Sequence, residues 1–197
     1  MRPALVLASG SPRRRELLAG LGLSFAVRPP EVDETPLPGE APEVFVRRLA
    51  RAKAAASEGG TPPADELVLA ADTVVLLDGQ LLGKPRDAAA AARMLRQIAG
   101  REHQVLTGVA LRETASGRFA AGLERTAVRM AALSEEQVAW YVATGEPLDK
   151  AGSYAVQGLG ALLVEEVRGN YTNVVGLPLP LLARLFEELG YDLLAFR

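Results

Sequence analysis

The chain has no cysteine and only one histidine, His103, among its 197 residues. The missing cysteines exclude disulfide bonds, thiol nucleophiles and thiolate metal sites. A single histidine also excludes a His-rich zinc site, and a Ser-His-Asp triad would have to use His103. Any chemistry must therefore rest on carboxylates, Lys, Arg, Ser and Thr, with an oxygen-bound metal such as Mg²⁺.

Long apolar runs and an excess of one charge are absent as well. No run is long enough to cross a bilayer, and the N-terminal residues lack the pattern of a signal peptide. The net charge of -2 argues against a general nucleic-acid or membrane surface. Hydrophobic residues make up 49% of the chain, enough for a sizeable core in a single domain. We therefore expect a cytoplasmic protein without a nucleic-acid or membrane partner.

Lysine is scarce in this chain. Only three of its 22 lysine and arginine residues are lysine, namely Lys53, Lys84 and Lys150. Lysine offers a compact point charge, whereas arginine offers a planar fork. A lysine in this arginine-rich chain therefore indicates a site that needs an ammonium group. The alternative is that each lysine was retained by chance.

The first element of the chain predicts a phosphate site. Residues 4–8 predict a strand and Ser9-Gly10-Ser11 a tight turn. Residues 12–19 predict a helix, with Ser11 as its N-cap and proline at its first position. Arginines 13–15 stand in the first helical turn, where backbone N–H groups and the helix dipole favour an anion. We interpret this loop as a polyphosphate site. A solvated basic turn is the alternative, and the loop lacks the Gly-Lys-Ser/Thr ending of a Walker A sequence.

Residues 67–77 give the strongest strand signal, a nearly continuous apolar run typical of a central strand buried on both faces. Asp72 interrupts this run and is followed by Thr73. Burial of a carboxylate is energetically unfavourable unless it is paired or metal-bound, so Asp72 indicates a functional site. The alternative is that Asp72 has only a structural role. Asp78-Gly79 predicts a hairpin that brings Lys84 back past this strand.

The remaining chain alternates between strands and helices. Helices are predicted at 43–57, 87–98, 134–142 and 177–189, and strands at 24–28, 81–82, 104–112, 118–130 and 161–167. Loops are predicted at 29–42, 59–63, 144–152, 154–160 and 169–176. The first of them carries Glu31, Asp33 and Glu34, which would be solvated in the absence of a site. This alternation predicts a mixed α/β sheet, and the missing G-x-G-x-x-G turn excludes a dinucleotide fold.

Eight short motifs occur in a fixed order along nearly the whole chain. They are Ser9-Gly10-Ser11-Pro12-Arg13-Arg14, Val32-Asp33-Glu34, Arg51-Ala52-Lys53-Ala54, Ala71-Asp72-Thr73, Gly83-Lys84-Pro85, Gly145-Glu146-Pro147-Leu148-Asp149-Lys150-Ala151-Gly152, Gln157-Gly158 and Asn173-Val174-Val175-Gly176-Leu177-Pro178. Together they resemble the Maf family of nucleotide pyrophosphatases, once described as septum formation inhibitors. The resemblance implies one domain over residues 1–197, with an elongated α/β fold like that of the inosine triphosphate pyrophosphatases. It also implies two lobes around a cleft, a divalent metal (Mg²⁺ or Mn²⁺), a cytoplasmic location and a homodimer.

The resemblance also assigns roles to individual residues. It makes Asp72 the catalytic acid and gives phosphate and metal handling to Ser9, Arg13, Glu34, Lys53 and Lys84. Ser11 and Arg14 of the first loop join the substrate-binding set, and Asp72 and Glu34 form the metal set. Substrate choice in the family follows three positions, which here are Arg13, Thr73 and Gln157. This set looks like the dTTP/UTP branch and differs from the 7-methyl-GTP branch.

The sequence thus predicts an enzyme that hydrolyses dTTP and UTP to the monophosphate and pyrophosphate. Asp72 would position or deprotonate the attacking water or hold the metal, and the sequence does not decide between these roles. Two other hypotheses remain open at this stage. One is a non-enzymatic nucleotide-binding regulator of cell division, and the other is a pyrophosphatase for modified purine nucleotides.

Overall fold

The computed structural model describes residues 2–57 and 65–197. Within these ranges seven strands form one mixed sheet, as the alternation of strands and helices predicts. The strands are β1 (Ala4–Leu7), β2 (Ala26–Val27), β3 (Glu66–Leu77), β4 (Gln80–Leu82), β5 (Glu102–Glu113), β6 (Phe119–Met130) and β7 (Val164–Arg168). Their order is β2-β1-β3-β5-β6-β7, with β4 paired to β3 outside this path. β1 runs parallel to β2 and β3, whereas β4 is antiparallel to β3 and β7 to β6.

Helices flank this sheet. They are α1 (Pro12–Gly20), α2 (Pro42–Ala56), α3 (Ala88–Ile98), α4 (Glu135–Ala143), α5 (Tyr171–Val175) and α6 (Leu179–Glu188). Short 3₁₀ helices cover Glu146–Asp149, Ala151–Ser153, Gly158–Leu163 and Leu193–Phe196. The predicted caps are confirmed for α3, where Asp87 accepts from the Ala90 N–H, and for α4, where Ser134 and Gln137 form a capping box. No helix in the described ranges is both long and apolar enough to cross a membrane.

The fold divides into two compact units. The first contains Met1–Asp72, Thr107–Glu124 and Gly176–Arg197, and the second contains Thr73–Leu106 and Arg125–Val175. In the first unit, β1 is apolar throughout because both faces of the sheet are covered. Leu5 and Leu7 pack into the cluster that contains α1 and α6 residues, whereas Val6 packs into the cluster that contains α2 residues.

The second unit has a separate core. Val75, Leu95, Met130 and Tyr141 belong to it. Its one buried imidazole, His103, contacts the Tyr154 hydroxyl through Nε2 at 2.8 Å. Burial lowers the pKa of His103 to about 4, so the ring is neutral near pH 7.

Several boundaries depart from the prediction. The strand predicted at 161–167 begins only at Val164, because the preceding residues form a 3₁₀ helix in which Gly160 fits tightly against the Ala155 backbone. The predicted loop 169–176 contains α5, whose start is held by Asn170 Oδ1 accepting from the Asn173 N–H at 3.0 Å. The predicted loop 144–152 contains two 3₁₀ helices, and the predicted loop 59–63 lies outside the described residues.

Candidate active site

Asp72 lies within β3, which has β1 and β5 as its neighbours in the sheet. Its side chain is only 10% exposed. The carboxylate is not left uncompensated, because its Oδ1 accepts a hydrogen bond from Lys53 Nζ at 2.7 Å. The predicted buried carboxylate is therefore present, and it is held as one member of an ion pair.

Lys53 is held above the sheet by the packing of α2. Ala50 and Ala54 of this helix share a buried cluster with residues of β1 and β3. Gly108 of β5 permits a close approach, since a side chain there would collide with the carbonyl of Val46 on α2. Lys53 Nζ consequently reaches Asp72 and also Glu34, whose Oε1 lies 2.6 Å away. One ammonium group is therefore shared between two carboxylates.

The first loop is folded by hydrogen bonds of its own. Ser9 Oγ accepts from the Ser11 N–H and from Arg14 Nη1, both at 3.2 Å, and Arg14 Nε donates to the Gly176 carbonyl at 2.8 Å. Burial lowers the pKa of the Arg14 guanidinium, and the Asp72 carboxylate opposes this shift. Arg14 therefore ties the loop to the chain that leads into α6.

Ser11 stands at the predicted N-cap position of α1, but its side chain makes no capping hydrogen bond. The first turn of α1 contains no acidic residue, and Pro12 begins the helix. The half-buried Arg13 follows directly. This helix start keeps the features that favour an anion, although the side-chain cap expected from Ser11 is not formed.

The second unit carries the other predicted residues. Val75 of β3 pairs with Leu82, the last residue of β4, in antiparallel register, and Lys84 follows two residues after this pair. Lys84 is exposed, and the carbonyl of the preceding Gly83 accepts from the Gly152 N–H at 3.1 Å. Gln157 is also exposed and directly precedes the 3₁₀ helix Gly158–Leu163. The structure thus brings together Glu34, Lys53 and Asp72 in one group, whereas Thr73, Lys84 and Gln157 lie in the second unit.

Among residues 2–57 and 65–197, no three His, Asp or Glu side chains form a group that could hold a metal by themselves. Asp72 and Glu34 nevertheless supply the hard carboxylate oxygens that Mg²⁺ and Mn²⁺ prefer, and both converge on one cation, the Lys53 ammonium. Mg²⁺ sites commonly use one or two carboxylates and complete the coordination with phosphate oxygens and water. The carboxylates of Asp72 and Glu34 therefore fit a divalent cation that is also coordinated by a polyphosphate.

Sequence reasoning missed Arg48 and Glu40, which join the loop before α2 to that helix. It also left Asn173 without a role beyond its motif. Asn173 is fully buried, and its Nδ2 donates to the Val105 carbonyl and to Thr126 Oγ1. The motif position was the only sequence signal for Asn173, and the Arg48 contact has no local pattern that would reveal it.

The chain is similar to a known protein family and to several individual proteins. A family model described as Maf-like protein matches residues 4–189. A protein from Anaeromyxobacter dehalogenans (strain 2CP-1) is 54% identical over 198 residues, which cover 98% of this chain and 97% of that protein. A protein from Pelotomaculum thermopropionicum is 50% identical, with 96% and 98% covered, and one from Myxococcus xanthus is 53% identical, with 96% and 94% covered. All three similar proteins carry the name dTTP/UTP pyrophosphatase.

Proposed function

The chain belongs to the Maf family, and from this premise we propose that it is a nucleoside triphosphate pyrophosphatase acting on dTTP and UTP. In this reaction a water oxygen bonds to the α phosphorus. The bond from that phosphorus to the oxygen shared with the β phosphorus breaks. The products are the nucleoside monophosphate, pyrophosphate and a proton. The names of the similar proteins support this choice of substrate.

The observation that carries the proposal is the group of Glu34, Lys53 and Asp72. Asp72 is a buried carboxylate, and a protein that merely binds a triphosphate gains little from an acid beside the phosphates. A hydrolase does gain from it, because a carboxylate can orient the attacking water and accept its proton. We therefore favour the enzyme over the non-enzymatic regulator and assign Asp72 to the reacting water or to the metal.

Basic side chains would neutralise the charge on the phosphates. Lys53 has a flexible stem, so its ammonium can leave the carboxylates for the phosphate oxygens of a bound substrate. Arg13 at the start of α1 and Lys84 after β4 are assigned the same task. Charge neutralisation of this kind is the main contribution of a protein to phosphoryl chemistry. Ser9, Ser11 and Arg14 are assigned to shaping the phosphate-binding loop.

Asp72 and Glu34 would hold Mg²⁺ or Mn²⁺, which when bound supplies positive charge beside the phosphate oxygens. In the structure both carboxylates contact the Lys53 ammonium, so the free protein holds them close together. The two carboxylates can then receive the cation when the Lys53 ammonium moves to the phosphate oxygens of the substrate.

Base selection is assigned to Gln157, with Thr73 and Arg13 as the other two specificity residues. A glutamine amide can donate to O4 and accept from N3–H of uracil or thymine. Cytosine presents the reversed pattern on the same edge, and a mismatched polar edge that becomes buried when the nucleotide binds costs about 1–3 kcal/mol. We therefore expect dTTP and UTP to be hydrolysed faster than CTP, ATP or GTP.

The direct test measures pyrophosphate release from a panel of triphosphates with Mg²⁺, for the wild type and for Asp72→Asn. The substitution keeps the shape of the side chain and removes its charge, so we expect turnover to fall by about a hundredfold or more. Nucleotide binding should change little, and the melting temperature should fall only modestly, because Lys53 keeps Glu34 as an ionic partner. Nucleotide binding without pyrophosphate release from any substrate would favour the regulator. A preference for modified purine nucleotides would instead identify the enzyme as a pyrophosphatase for those nucleotides.

We also propose that the enzyme is a homodimer and works in the cytoplasm, as its family resemblance implies. The absence of cysteine suits a reducing compartment. Light scattering coupled to size-exclusion chromatography will measure the mass in solution, and a mass near the monomer value of 20.9 kDa would contradict the dimer.

A further inference from the structure

Glu34 lies in a long stretch without helix or strand. β2 ends at Val27 and α2 begins at Pro42, so neither sheet nor helix hydrogen bonds fix the backbone between them. The Glu34 side chain is 59% exposed, which means that packing does not hold it either. Its carboxylate nevertheless meets Lys53 at 2.6 Å. Other residues must therefore hold this backbone in place.

The Arg48 guanidinium binds this stretch at two points. Its Nε and Nη2 donate hydrogen bonds to the two oxygens of the Glu40 carboxylate at 2.6 and 2.7 Å, which is a bidentate arrangement. The same Nη2 donates to the carbonyl of Thr35, the residue after Glu34, at 3.1 Å. The guanidinium also lies over the Phe45 ring, at 5.5 Å from its centroid, and this contact restricts its orientation.

Glu40 is well suited to serve as the fixed point of this arrangement. Its side chain is only 4% exposed, and its Oε2 also accepts from the Leu37 N–H at 3.1 Å. Hydrogen bonding to Arg48 lowers the pKa of Glu40 to about 2, so the pair remains charged at neutral pH. On the other side of Glu34, Asp33 Oδ1 accepts from the Thr35 N–H at 2.9 Å and forms a local turn.

We infer that Arg48 is a positioning residue that, through Glu40 and the Thr35 carbonyl, holds Glu34 in place to receive the metal–nucleotide substrate. The inference rests on the proposed function, because it assumes that Glu34 takes part in metal binding. Arg48 and Lys53 lie on the same helix, so the helix that supplies the lysine also fixes the carboxylate facing it. Residues that orient metal ligands in this way affect metal affinity by about 10–100-fold when removed.

The test compares Arg48→Met with Arg47→Met, which removes the exposed neighbouring charge on the same helix. We expect Arg48→Met to raise the Mg²⁺ concentration for half-maximal activity by about tenfold or more, with kcat at saturating Mg²⁺ reduced less. Arg47→Met should match the wild type. Arg48→Lys should resemble Arg48→Met, because an ammonium cannot form the fork to Glu40 and bond Thr35 at once. Full rescue by lysine would overturn the geometric argument.

A double-mutant cycle separates positioning from general stabilisation. If Arg48 acts through Glu34, Arg48→Met should change the Mg²⁺ requirement by less than about twofold once Glu34→Gln is present. An equal loss in both backgrounds would overturn the inference. Amide hydrogen exchange of residues 34–40 should also be faster in Arg48→Met and unchanged in Arg47→Met. Unchanged exchange in both variants would count against the inference.

These outcomes can be distinguished from a failure of the proposed function. If the wild type releases no pyrophosphate, the proposed function fails. Mn²⁺ binding in the presence of a non-hydrolysable dTTP analogue, followed by electron paramagnetic resonance, still reports on Arg48. Weaker Mn²⁺ binding in Arg48→Met than in Arg47→Met supports the inference, and equal binding overturns it.

Discussion

Replacement of Lys53 by methionine removes the charge shared by Asp72 and Glu34 while keeping a long flexible side chain. Loss of one partner from a buried ion pair costs about 3–5 kcal/mol. Asp72 is buried, but the Glu34 side chain is 59% exposed and can be solvated, so we expect a smaller loss of about 2–3 kcal/mol. For a chain of this length, such a loss lowers the melting temperature by about 4–12 °C.

The same variant should respond more strongly to a divalent cation without nucleotide. In the wild type, the Lys53 ammonium already balances both carboxylates and repels a second cation. In Lys53→Met the two carboxylates are left for Mn²⁺, and a ligand at 100 times its Kd stabilises the folded state by about 2.7 kcal/mol. Saturating Mn²⁺ should therefore restore most of the lost stability in the variant and add little to the wild type.

Differential scanning calorimetry over a Mn²⁺ titration measures both effects. Lys84→Met is the matched control, because it removes an exposed lysine by the same substitution. This control should melt close to the wild type and show no enhanced Mn²⁺ response. The reasoning is refuted if Lys53→Met is as stable as the wild type, or if Mn²⁺ stabilises both proteins equally.

The remaining predictions concern substrate choice and pH. Gln157→Ala should lower kcat/KM for dTTP by about tenfold, because the base then loses a polar partner. The ratio of kcat/KM for dTTP to kcat/KM for CTP should fall as well. Steady-state kinetics with both nucleotides decide this, and an unchanged ratio would remove Gln157 from the specificity set. His103 is neutral in the native state with its pKa lowered to about 4, whereas the unfolded chain binds a proton near pH 6.5. Stability should therefore fall as the pH drops below about 6.5 and level off near pH 4, by up to about 3 kcal/mol in total. Denaturant unfolding of the wild type and His103→Gln between pH 4 and pH 7 measures this, and identical pH profiles would contradict it.

The sequence alone predicts those parts of the fold that depend on local patterns. The apolar run of β3 and its interruption by Asp72 are read directly from the chain, because a strand buried on both faces needs apolar residues at every position. The caps of α3 and α4 are equally local, since the capping side chain and its backbone partner are three residues apart. The short helix α5 was missed because the Asn170 side chain that holds its start is also typical of a loop.

The candidate site residues were named by motif resemblance, and only the tertiary structure determines which of them touch. Lys53 is 19 residues from Asp72 in the chain, and Arg14 is 162 residues from the Gly176 carbonyl that it binds. No local periodicity encodes such contacts. They depend on how closely α2 packs on the sheet, which Gly108 permits beneath Val46, and on the path of an irregular loop held by Arg48. The sequence therefore determined which chemical groups the site can use, and the packing of distant elements decided that one lysine would be shared by two carboxylates.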